Sequence, residues 1–135
     1  MFEHFLHLAK DRLQRLGAEC CRRALIWWDW SHEPGEHGNE ERGLRLLKEW
    51  LSPEQLAQYE ARRHFDVIGC HSGRRYRIHH GIAANIHEID NAGRPRTGWC
   101  FVPNADLVAG DVMLAQKIAL ETDERSALAV ARKFL

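Results

Sequence analysis

The sequence predicts an α+β fold: a four-stranded antiparallel β-meander packed against helices and preceded by a long N-terminal helix. Three observations carry this expectation. Apolar residues recur at steps of three and four over residues 2–30 and again after Gly110. Between His64 and Val102 the period changes to two, as in "RRYRIH", where Tyr76 and Ile78 alternate with Arg75, Arg77 and His79. In that same stretch turn signals (Ser72-Gly73, His80-Gly81 and "DNAG" at 90–93) recur about every ten residues, the spacing of a meander.

Residues 1–30 read as one amphipathic helix. Phe2, Leu6, Ala9, Leu13, Leu16, Cys20, Ala24 and Trp27 share a face, and Gly17 weakens it by about 1 kcal/mol relative to Ala. It ends in "IWWDW". Residues 31–41, "SHEPGEHGNEE", form an acidic linker in which Pro34, Gly35 and Gly38 break structure. The α+β domain is expected over 42–135. Its first helix covers about 41–51, with Leu44, Leu47 and Leu51 on one face. "SPEQ" then starts another helix, with Ser52 as cap, Pro53 as first residue and Gln55 closing a capping box; this helix runs to about Arg63. Strands are expected at about 65–70, 74–79, 84–89 and 97–102, the last ended by Pro103. Asp111 is positioned to cap the next helix, with Leu114, Ile118 and Leu120 facing inward. Thr122 and Asp123 mark a kink or a second short helix through Lys133.

Composition limits the function classes. The 135 residues suit one domain with a sizeable core. Nineteen basic and nineteen acidic side chains cancel, so no whole-protein attraction to nucleic acid or anionic membrane is indicated. No secretory signal and no apolar run of spanning length is visible, which points to the cytoplasm and free thiols at Cys20, Cys21, Cys70 and Cys100.

Candidate chemistry concentrates in "CHSGRRYRIHHG", residues 70–81. Cys70, His79, His87 and Cys100 lack the local spacing of a zinc site, so no metal and no cofactor are expected. Cys70 and His71 are strand neighbours that point to opposite faces, which argues against a Cys–His dyad, and no catalytic motif is present. Residues 62–100 carry seven arginines against Asp66, Glu88 and Asp90, a local excess of 7 − 3 = +4. Arg74, Arg75, Arg77, Arg94 and Arg96, near an aromatic such as Trp99, are candidate nucleic-acid contacts; a solvated strand face is the plainer explanation. Trp27, Trp28 and Trp30 cannot all face one core, which makes them candidate anchors for a protein partner or a second copy.

Four segments, "LSPEQLAQYE", "FDVIGCHSGRRYRI", "GRPRTGWCFVP" and "GDVMLAQKIALETDE", together resemble a recurrent small bacterial domain of unknown function over about residues 44–135. The resemblance implies the α+β fold and no activity. The layout is also similar to a degenerate SWIM module, in which a strand ending in cysteines leads to a helix with further ligands. Here the second cysteine near Cys100 is missing and residues 111–116 hold neither Cys nor His, so the similarity implies a basic meander and helix without zinc. The sequence therefore leads to a small non-enzymatic binding or adaptor protein acting through residues 1–30. A nucleic-acid-binding accessory protein using the arginine face is the alternative.

Overall fold

The computed structural model describes residues 36–101 and 105–134, and the side chains from Gly38 onward. The expected N-terminal helix, with Trp27, Trp28 and Trp30, lies outside the described residues. The elements run α1 (Glu36–Trp50), α2 (Pro53–Arg62), β1 (His64–Ile68), β2 (Arg75–His79), β3 (Ile86–Ile89), β4 (Pro95–Cys100), α3 (Ala109–Val130) and β5 (Arg132–Phe134). The class is α+β as expected, but among the described residues the antiparallel sheet has five strands rather than four, in the order β1-β2-β3-β4-β5. The fifth is three residues long and follows α3 without a break, so the helical pattern hides it.

α1 begins at Glu36, earlier than expected, and takes in Gly38 and three acidic residues assigned to the linker, Glu36, Glu40 and Glu41. α2 starts as the sequence predicts. Ser52 Oγ accepts from the Gln55 amide, and the Gln55 side chain accepts from the Ser52 amide. α3 does not use Asp111 as its cap. Its N-cap is Val108, which makes no side-chain cap bond, and Asp111 lies inside the first turn. The break near Thr122 is real: Asp123 has non-helical angles (φ −152°, ψ 60°), and Thr122 Oγ1 donates back to the Ile118 carbonyl at 2.6 Å.

α3 is the central element. From Val112 to Leu120 every residue is buried, including Gln116 and Lys117, because the sheet lies on one side and α1 crosses the other. The crossing is close at Gly43 and Gly110, where a Cβ on Gly110 would overlap the Gly43 backbone. Two buried polar groups are satisfied in pairs. Gln116 Nε2 donates to Asn85 Oδ1 at 2.8 Å and Asn85 Nδ2 returns a bond to Gln116 Oε1 at 2.9 Å; Lys117 Nζ donates to Glu121 at 2.5 Å. Such pairing is what a buried polar group requires to avoid a desolvation penalty.

Strand alternation assigns the two sheet faces. Phe65, Val67, Tyr76, Ile78 and Ile86 face the helices and form the core with Leu47, Met113, Leu120 and Ala127. The edge strand β1 is covered on its free side by α2. Gln55 Nε2 donates to the Asp66 carbonyl at 2.9 Å, and Gln58 Oε1 accepts from the Asp66 amide at 2.9 Å. Those glutamines occupy the backbone groups that would otherwise template another strand.

Candidate nucleic-acid interface

"CHSGRRYRIHHG" serves two purposes. Its first half is structural. Where α3 breaks at Asp123, the amides of Glu124 and Arg125 lose their helical partners. The β1–β2 turn replaces them: Cys70 Sγ accepts from the Glu124 amide at 3.5 Å and His71 Nδ1 accepts from the Arg125 amide at 3.2 Å. In return Glu124 fastens the turn. Its carboxylate accepts from the amides of His71 (2.8 Å) and Ser72 (2.7 Å), from Tyr76 Oη (2.6 Å) and from Ser72 Oγ. Burial alone would raise the Glu124 pKa. The hydrogen bonds from Ser72, Tyr76 and the two amides outweigh it and bring the value down to about 2. Gly69 is required here because a Cβ would overlap the Glu124 carboxylate. Cys70 is exposed although its Sγ makes this contact.

The second half of the segment belongs to the sheet face turned away from the helices. His64 and His79 are cross-strand partners with ring centroids 5.3 Å apart; His79 and His87 lie 5.3 Å apart, and His87 and Phe134 lie 5.5 Å apart. All three contacts are edge-to-face, so four rings make a row across β1, β2, β3 and β5. Gly98 on β4 lets the row cross: it pairs with both His87 and Phe134, and the Phe134 ring occupies the space a Cβ would need. Beside the row, Arg77 makes a two-point ion pair with Asp66, Nε–Oδ1 2.8 Å and Nη2–Oδ2 3.0 Å.

The predicted site residues divide. Arg75 is exposed, and neither it nor Arg96 forms an ion pair among the described residues. Arg77, read from the sequence as part of a solvated strand face, is half-buried and held by Asp66. Arg74 pairs loosely with Glu88 at 3.6 Å, and Arg94 pairs with Asp90 at 2.9 Å, where Asp90 also accepts from the turn amides of Ala92 and Arg94. Both arginines stay mostly exposed, so these ion pairs are weak and exchangeable. Trp99 is not part of this face. It pairs with Ile86, packs toward the core and has Lys133 Nζ 6.0 Å from its ring centre. The aromatic residue on the arginine face is Phe134, and Arg132 on β5 joins it. Neither was found in the sequence, because both reach the sheet only through the short β5.

Imidazole chemistry distinguishes the row from a neutral aromatic strip. His64 and His79 have pKa values below the ordinary histidine range. In both cases burial is the main cause, followed by Arg77 for His64 and by the neighbouring imidazoles for His79. The Nδ1 atoms of His64 and His87 are buried and find no hydrogen-bond partner among the described residues. The row is linear rather than convergent, and no group of three His, Cys, Asp or Glu among the described residues is arranged to hold a metal ion. No described helix is long and apolar enough to cross a membrane. No protein-family model, curated protein or solved structure matches this chain.

Proposed function

We propose that the chain is a binding protein and that the outer sheet face takes single-stranded nucleic acid. The observation that supports this reading is the row His64–His79–His87–Phe134, flanked by Arg75 and Arg132 on the same face. Base rings stack on flat side chains without regard to sequence, and arginines beside the stack hold the phosphates. Asp66 is the carboxylate on this strip, and Arg77 already neutralises it. The face therefore presents cations to a polyanion although the whole chain is neutral.

The test is a salt and charge experiment on the full chain. An oligothymidylate of about 20 nucleotides, long enough to cross several strands, should bind at about 50 mM salt and weaken steeply as salt rises. Changing Arg75 and Arg132 together to Glu should lower affinity at least about tenfold and flatten the salt slope. Arg77 is left unchanged, because its loss would strand Asp66 and confuse binding with folding. Absence of binding by the unmodified protein at this low salt refutes the reading.

A second reading is supported by composition. Three tryptophans within four positions, Trp27, Trp28 and Trp30, exceed what one intramolecular face hides, which favours docking of residues 1–30 on a protein partner or a second copy. Contacts anchored by tryptophan change little with salt, so the same titration separates the two readings.

A further inference from the structure

We propose that His64 and His79 form a proton-controlled anion contact, neutral in alkaline solution and cationic in mildly acidic solution, which tightens the hold on a single strand laid across the sheet. This rests on the nucleic-acid reading of the same face. The inference starts from geometry. His64 and His79 touch edge to face at 5.3 Å, so adding protons to both places like charges side by side. Among the described residues the counter-charge facing them is Asp66, which favours their protonation but is shared. Asp66 on β1 has both oxygens engaged by Arg77 of β2, Arg62 at the end of α2 is also cationic, Arg132 stands on β5, and β4 contributes Gly98 and Cys100. Glu88 faces the other side of the sheet, where Arg74 meets it.

A protonated row is therefore short of anions, and a phosphate backbone provides them. Binding and protonation then favour each other. A bound strand raises proton affinity in the row, and proton uptake raises affinity for the strand by the same factor. The stacking partner Phe134 does not titrate, so affinity at high pH keeps a residual, proton-independent part.

Oligothymidylate is the appropriate probe because its bases do not titrate in this range. Affinity is measured by fluorescence anisotropy on the full chain at constant salt, at about pH 8 and about pH 5.5, on either side of the ordinary histidine value. The unmodified protein should bind about tenfold more tightly at the lower pH, the equivalent of one proton taken up across one pH unit. His64→Gln/His79→Gln, which removes two rings of the row, should bind more weakly at both pH values and lose most of the ratio between them. The single change His79→Gln, which keeps the outer rings in place, should lose part of that ratio and serves if the double variant does not fold. Binding that is equally strong at both pH values overturns the proton contact and leaves the nucleic-acid reading intact. A double variant that keeps the full gain also overturns it, because the protons then enter elsewhere. No binding at either pH overturns both.

Discussion

Glu124 is the residue on which the local structure depends most. It is buried, ionised and surrounded by four donors that have no other partner within the turn. Removing it leaves the His71 and Ser72 amides and the Tyr76 hydroxyl unsatisfied, at roughly 1–3 kcal/mol for each group that water does not reach. Glu124→Ala is therefore expected to lower unfolding stability by about 3 kcal/mol or more in denaturant titrations. Glu124→Gln is expected to fall between it and the unmodified chain, since the amide keeps the shape but adds a donor where donors already converge. The Glu124 pKa is lower folded than unfolded, so its contribution is complete above the ordinary glutamate value and is lost as pH falls toward about 2. The histidines act earlier. His64, His79 and His80 have lowered folded values, so the unfolded chain binds more protons and stability declines as pH drops through the ordinary histidine range. Thermal melts across pH should show two separate losses, and His64→Gln/His79→Gln should reduce the first without touching the second.

At the scale of elements, β5 and the α3 kink decide how the sheet face is completed. Truncation after Ala131 removes residues 132–135, Arg132 and Phe134 among them, uncovers Gly98 and His87, and strips β4 of one of its two partner strands. The expected outcome is a folded chain, destabilised by about 1–3 kcal/mol from the lost aromatic burial, whose affinity for oligothymidylate falls. Much of this layer was legible beforehand. Alternation from Tyr76 to His79 gave the β2 register correctly, because one face is buried and a one-residue slip would have inverted it. "SPEQ" gave the α2 start, since cap chemistry is local. Thr122-Asp123 gave the kink for the same reason. β5 was not legible: "RKF" continues a helical pattern, and only a non-local pairing with β4 makes it a strand. The Asp111 cap failed because α3 is fixed by burial on all sides rather than by its first turn. Trp99 was placed beside the arginines by sequence proximity, whereas strand parity turns it to the core.

For the whole molecule, the core cluster joins α1, α2, the sheet and α3 into one body among the described residues. Deleting residues 1–35 is accordingly expected to leave a cooperatively folding chain, observed as a single thermal transition, and any self-association carried by Trp27, Trp28 and Trp30 should disappear with it. An unfolded truncation would mean that the N-terminal segment is part of the core. The outer face should keep its affinity in this deletion, since the ring row and Arg75 and Arg132 all follow residue 35. Charge at this scale is balanced, so recognition depends on where the charges stand and not on their sum.

The measurement that tests the central claim most directly is an amide and imidazole NMR titration of the full chain with oligothymidylate at low salt. Signals of His64, Arg75, His79, His87, Arg132 and Phe134 are predicted to shift together and saturably, while those of Phe65, Val67 and Ile78, on the helix-covered face, stay in place. Shifts confined to residues off this face, or no shifts at all, would contradict the claim that the outer sheet surface is the binding site.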